Sequence, residues 1–253
     1  MKFNPGNYSV ELDLQGSRFG LHRDQIALLT DRLAEIRADS PWFTDICSLR
    51  DGILRYESQT LLPYRTSSSK AAGKMSVLLV LGNPSALGVK QGMFFYSRAD
   101  GDRHDFWTKM DTAGLVRMVD QTTRAREARR RGEMILQDAA SSRFSFGLTT
   151  FYSFPTPGSS NSPYCGAGGV ERLFEPMLKY LCRLESQRLI SYPFTDRAII
   201  IFTQKSSLKN FYRATGIKPS YWPIRGEDSS GAELGRLLDR AGTIELTKNA
   251  LLF

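Results

Sequence analysis

Apolar residues recur at helical spacing between Arg23 and Ala38, where Ile26, Leu29, Leu33 and Ile36 share one face. Ser40-Pro41 ends that segment, because the residue before a proline is pushed out of the helical region. A second short helix is predicted from Trp42 to Tyr56. Residues 1–70 therefore read as a helical N-terminal extension packed on a core that occupies 71–253. The stretch from Pro63 to Ser76 is rich in Ser, Ala, Gly and Lys and reads as an exposed loop or linker. No internal repeat is visible.

Beyond it the pattern changes. Val77 to Leu81 is an unbroken apolar run closed by Gly82-Asn83-Pro84-Ser85, which predicts a strand buried on both faces. Further strands are predicted at Phe146–Phe154, Ala198–Thr203 and Ser220–Ile224. Helices are predicted at His104–Val119, Arg124–Ala140, Val170–Leu189, Ser206–Thr215 and Ser229–Ala241. Strands alternating with helices predict an α/β fold, with a central four-stranded parallel sheet covered on both faces as an α/β/α three-layer domain. Ligands of such sheets sit outside the carboxyl ends of the strands. Those ends are Asn83, Thr150, Thr203 and Arg225.

Composition narrows the chemistry. The chain has 253 residues, with 41% hydrophobic and 24% charged, the mix of an ordinary globular protein. Its three cysteines, Cys47, Cys165 and Cys182, form no C-x-x-C pair and cannot all pair with one another, so free thiols in a reducing cytoplasm are expected. His22 and His104 are the only histidines, which argues against zinc sites and Ser-His-Asp arrangements. No metal or cofactor is expected. No apolar stretch suits a signal peptide or a membrane span, so no membrane partner is expected. A formal net charge of +8 points weakly to a polyanionic partner.

The loop after the first apolar strand is the most informative. Pro84 fixes the backbone just past the strand, and Gly88 and Gly92 allow close approach. Asn83 stands where its amide can point into the crevice, its oxygen holding a water. The alternative is a tight turn in which Asn83 satisfies local backbone groups and Phe94 and Phe95 belong to the core. Thr149 and Thr150 end the second strand; Thr is also simply a good strand residue. The basic run Arg124, Arg126, Arg129, Arg130 and Arg131 is a candidate for phosphate contact or, equally, a solvated helix face. His104 either caps the following helix or touches a ligand.

The run LLVLGNPSALGVKQGMFFYSRADGDRHDFWTKMDTAGL resembles the first motif region of the uracil-DNA glycosylase superfamily, closest to its mismatch-specific and thymine-DNA glycosylase branch. It carries Asn83-Pro84, Gly92, Phe94-Phe95, Phe106-Trp107 and Ala113-Gly114-Leu115 in that branch's order. Downstream, FGLTTFYSFPTPGSSN, AGGVERLF and AIIIFTQKSSLKNF are similar to its later segments. The likeness spans roughly residues 73–240. Two departures stand out. Leu81 and Ser85 replace glycines of the first turn. The final loop, from Trp222 to Gly231, keeps Pro223 and a Ser229-Ser230-Gly231 end but lacks the family's His or Asn.

The resemblance implies a monofunctional DNA glycosylase, acting as a monomer on single- or double-stranded DNA in the cytoplasm. It implies that Asn83 positions the attacking water without a metal. It implies that Phe95, then Phe94, stacks on the extruded base, that Tyr96 sits at the rim, and that Thr150 and Ser85 face the base. Arg98, Arg103, Lys205, Ser206, Ser207, Lys209, Arg225 and Ser229 become candidates for DNA contact. A helix N-terminus at Lys205–Lys209 suits a phosphate. The departures keep a second reading open: a nucleic-acid-binding protein on the same scaffold without base excision. A third, a nucleotide enzyme cradling phosphate in the Gly82–Gly92 loop, lacks both G-x-x-x-x-G-K-[ST] and G-x-G-x-x-G.

Overall fold

A computed structural model describes residues 2–4, 8–16, 19–64, 73–96, 104–117, 123–158, 161–192, 194–195 and 198–250. Arg98, Arg103 and most of the expected 63–76 loop lie outside them. The centre is a parallel sheet of β5 (Met75–Leu81), β6 (Phe144–Thr150), β7 (Ile199–Phe202) and β8 (Ser220–Tyr221), in the order β6-β5-β7-β8. β5 lies between β6 and β7, with Leu81 beside Thr150 and Val80 beside Phe202. Such a strand is covered above and below, which is why its sequence is continuously apolar.

The two faces have different partners. Val77, Leu79 and Leu81 pack with residues of α3 (Asp105–Thr112), α4 (Arg124–Leu136) and α8 (Gly231–Ala250), among them Trp107, Met110, Ile135, Leu234 and Leu238. Leu78 and Val80 pack with α5 (Gly166–Leu173), α6 (Leu178–Ser191) and α7 (Lys205–Thr215), through Val170, Leu181, Leu189 and Phe211. The protein is thus α/β, a four-stranded parallel sheet flanked by helices. The single helix expected over Val170–Leu189 is two, α5 and α6, broken at Glu175–Met177, where Pro176 interrupts the hydrogen-bond ladder.

The N-terminal region corrects the expectation of a helical extension. It holds α1 (Arg23–Asp39), but also an antiparallel sheet of β1 (Lys2–Asn4), β2 (Ser9–Asp13), β3 (Cys47–Arg50) and β4 (Ile53–Glu57), ordered β1-β2-β4-β3. The helix expected over Trp42–Tyr56 is a 3-10 turn at Pro41–Asp45 followed by a hairpin. Asp51 and Gly52, both at positive φ (51° and 74°), form the two-residue turn that matches strand twist. Val10, Leu12, Leu54 and Tyr56 face inward and join Leu78, Val80 and Phe154 in one cluster. Leu61 adds an antiparallel bridge to the open edge of β6, with Leu61 N–H donating to Leu148 O (2.8 Å) and Leu148 N–H to Leu61 O (2.7 Å). On the outside, Arg32 of α1 donates to the last carbonyls of α5, Arg172 (2.5 Å) and Leu173 (3.1 Å).

A buried polar network joins these parts. Glu185, fully buried on α6, accepts from Ser153 N–H (2.7 Å), Ser153 Oγ (2.5 Å) and Arg188 Nε (2.6 Å). Arg188 Nη2 donates to the carbonyls of Thr150 (2.6 Å) and Phe151 (3.1 Å), and Nη1 to Tyr192 Oη (2.5 Å). Tyr56 of β4 reaches Ser153 Oγ (2.8 Å). The backbone that leaves β6 is therefore held by charge-assisted bonds in a dry setting, where each is stronger than on the surface. Removing one member of such a pair strands the other; Arg188→Met is expected to cost about 3–5 kcal/mol in a urea melt. Alkali should also weaken the fold. Burial pushes the Cys47 thiol up to about 12, and burial also raises the Tyr56 hydroxyl well above its ordinary value. Both are neutral when protonated, so above their ordinary values of 9.0 and 10.0 the native state keeps protons the unfolded chain releases. Their contribution is whole below pH 9 and is lost as pH climbs toward their native values; urea midpoints at about pH 8 and about pH 10.5 should show the drop.

Candidate functional site

The strand-end loops after β5 and β6 are zipped together. Past Leu81 the chain runs through Gly82, Asn83 and Pro84 into α2 (Ala86–Gln91), a short helix where the sequence predicts a loop. Ser85 caps it, its Oγ accepting from Gly88 N–H (3.0 Å), and Gly92 ends it in the left-handed region (φ 70°). Ser85's hydroxyl oxygen is thus the helix cap. Ala86 N–H donates to Thr156 O (2.8 Å), and Thr156 N–H to Pro84 O (3.2 Å). The Ala86 amide is therefore occupied.

Asn83 sits half-buried at this seam. Its Nδ2 donates to Thr156 Oγ1 (2.6 Å) and to Pro84 O (3.1 Å). Thr156, 1% exposed, donates in turn to Gly166 O (3.4 Å) at the start of α5. Both protons of the carboxamide are used, which fixes its plane and leaves Oδ1 without a partner among the described residues. An oriented, unoccupied amide oxygen at the carboxyl edge of a parallel sheet accepts a hydrogen bond from a water or a ligand. It cannot act as a base at neutral pH. Thr156 is the residue that sequence reasoning missed. The only signal was its position in a turn-rich stretch after the second strand, and nothing local tied it to Asn83.

The aromatic pair divides. Phe94 is 3% exposed and lies in the core with Phe106 and Trp107, which corrects its assignment as a stacking face. Phe95 is partly exposed and adopts φ 47°, a costly conformation for a bulky side chain. Trp107 Nε1 holds it there by donating to Phe95 O (2.9 Å). Its ring stacks on Phe106 (centroids 4.2 Å apart, planes 26°) and lies 4.6 Å from His104. Gln59, oriented with its oxygen toward donors, accepts from Met93 N–H (2.8 Å) and Phe94 N–H (2.9 Å), so the N-terminal region also shapes this loop. Tyr96 follows, partly buried against the same cluster. His104 caps α3, its Nδ1 accepting from Phe106 N–H (3.1 Å).

Other candidates are placed as follows. Thr150 is fully buried and its Oγ1 has no partner, so it does not present an edge to an open crevice. Ser207 is likewise fully buried and unpartnered, pointing away from any phosphate on the surface of α7. Lys205, Ser206 and Lys209 are exposed on that helix, and Lys205 lies over the Tyr221 ring (5.6 Å). Arg225 is exposed in the 222–230 loop. Ser229 is not free for DNA: it is 8% exposed and accepts from Lys109 Nζ (3.1 Å), which also donates to Ile224 O (3.0 Å). Trp222 Nε1 donates to Ser230 O (3.2 Å), so this loop is tethered at both ends. In the basic run, Arg131 is buried, paired with Glu127 (2.5 Å) and stacked over Trp107 (4.8 Å). Arg130 pairs with Glu133 (3.5 Å), and Arg126 and Arg129 are exposed.

No protein-family model matches the chain, and no curated protein matches it. Among the described residues no three or more His, Cys, Asp and Glu side chains group as metal ligands, and no helix is long and apolar enough to cross a membrane.

The tie between Thr156 and Asn83 makes a direct prediction. Thr156→Val keeps the side-chain shape and both backbone bonds but removes the acceptor. The Asn83 side-chain amide protons should exchange faster by NMR than in the unaltered protein, with a stability loss of about 1 kcal/mol.

Proposed function

We propose that this chain is a monofunctional DNA glycosylase of uracil-DNA-glycosylase-like fold, hydrolysing the N-glycosidic bond of uracil or a related deaminated or mismatched base in the cytoplasm. The observation that carries this reading is the Asn83 carboxamide, tied through nitrogen and left open through oxygen at the carboxyl edge of the sheet. In the proposed reaction a water held by Asn83 Oδ1 attacks the anomeric carbon as the bond to the base breaks. The base departs with the bonding electrons, and the water's proton passes to solvent. The sugar carries positive charge and the base negative charge at the barrier, so placing the water and holding the base are the protein's main contributions. A base within a duplex has to leave the stack first. Phe95, partly exposed and braced from behind by Phe106, is the ring proposed to receive it, with Tyr96 at the rim.

The second reading, a nucleic-acid-binding protein without base excision, is favoured by one specific set of observations. Phe94, Thr150 and Ser229, all expected at the base or the DNA, are internal. The two readings separate in one assay. Oligonucleotides carrying U, T opposite G, hypoxanthine or xanthine are incubated with the protein and then cleaved with alkali at abasic sites. The glycosylase reading expects strand cleavage for at least one base, reduced about 100-fold or more under single-turnover conditions in Asn83→Ala, with oligonucleotide binding retained. Binding that falls with salt, with no cleavage of any substrate, supports the second reading and ends the first.

A further inference from the structure

The α6–α7 flank carries a surface of which the strand-end reading uses Lys209 alone. On α6, Lys179, Tyr180 and Arg183 are exposed; on α7, Lys209, Tyr212 and Arg213 are exposed. The tyrosines are unusually open for their size, at 52% and 50% exposure. None of the four cations has an ion-pair partner among the described residues. The reason lies in the composition of the helices: Glu185 is the only acid on either, and it is buried on Arg188.

The two sets of side chains stand on neighbouring helices. Tyr152, at the end of β6, hydrogen-bonds through its hydroxyl to Asn210 Nδ2 of α7 (3.0 Å) and contacts Cys182 Sγ of α6 (3.6 Å). Along the chain, Lys179, Tyr180 and Arg183 lie within about a turn of Cys182, and Lys209, Tyr212 and Arg213 within about a turn of Asn210. Each exposed residue is thus within about a turn of a common point, on helices packed side by side. On each helix the cations stand four residues apart, an axial step of about 6 Å.

We propose that this flank is a binding surface for a single-stranded nucleic acid. Unpaired cations in two rows supply phosphate contacts, and the interleaved tyrosines supply faces on which unpaired bases stack. An acidic peptide would match the charge but would leave the tyrosine faces without a use, and a duplex would keep its bases stacked and out of their reach. The proposal goes beyond the glycosylase reading and does not rest on it: Lys209 alone of these six residues is also a DNA-contact candidate there, and none of the six hydrogen-bonds Asn83 or Thr156.

Fluorescence anisotropy with a labelled oligothymidylate of about 20 nucleotides tests it, the length exceeding one site of roughly 4–16. Lys209→Ala with Arg213→Ala should weaken binding and reduce the slope of log affinity against log salt by about 1.4, at roughly 0.7 per lost contact. Tyr180→Ala with Tyr212→Ala should weaken binding at least fivefold while leaving the slope nearly unchanged. All four positions are exposed, and circular dichroism checks that the variants fold. Both variants behaving as wild type overturns the proposal. So does equal affinity for polyglutamate or phosphatidylserine vesicles with no effect of the tyrosine changes, which marks a general polyanion face. Excision in the alkali assay is scored separately: loss in Asn83→Ala with oligothymidylate binding intact bears only on the strand-end site.

Discussion

Glu185 and Arg188 lie one turn apart on α6, out of reach of water, and between them they hold the backbone of residues 150–153. The rest of the strand-end architecture follows from that constraint. A chain leaving a parallel strand has donors and acceptors with no ladder to join, and burying them bare is costly. Here the carbonyls of Thr150 and Phe151 go to a guanidinium, and the amide of Ser153 goes to a carboxylate. With that segment fixed, Thr156 arrives where it can pair with Pro84, Ala86 and Asn83. A charged pair inside the protein thereby sets the plane of a neutral amide at its edge, through three residues of backbone and one hydroxyl.

The same network explains why the N-terminal region belongs to the site. Tyr56 reaches Ser153, Ser58 Oγ donates to Ser153 O (2.7 Å), Thr60 shares a hydrogen bond with Thr149 (3.0 Å), and Gln59 holds the amides of Met93 and Phe94. Residues 56–61 are a polar seam between two sheets. They fix both the β6 exit and the loop that carries Phe95.

The parallel sheet was legible because β5 and β7 are buried on both faces, so their sequences are unbroken apolar runs that fit little else. The N-terminal sheet was missed: the alternation of Val10 and Leu12 and the Asp51-Gly52 turn are short signals, and the helical spacing of α1 drew the neighbouring residues into a helical reading. At the site, the position of Asn83 was legible from the end of the apolar run. Which of two adjacent phenylalanines faces outward was not, since successive side chains diverge and only packing decides which goes in. Nor was the inward turn of Thr150 and Ser207, or the Asn83–Thr156 pair, whose members are 73 residues apart. Long-range pairing leaves no periodic trace in a sequence.

The bridge between Leu61 and Leu148 covers the one long free edge of the central sheet. One margin of the central sheet ends in β8, two residues long and a poor template for another chain. The opposite margin, β6, is seven residues long and buried throughout, and Leu61 with its neighbours is what shields it. A shortened version of this protein beginning after that shield would offer a ready-made docking ladder to its own copies, and its first failure would be clumping rather than unfolding.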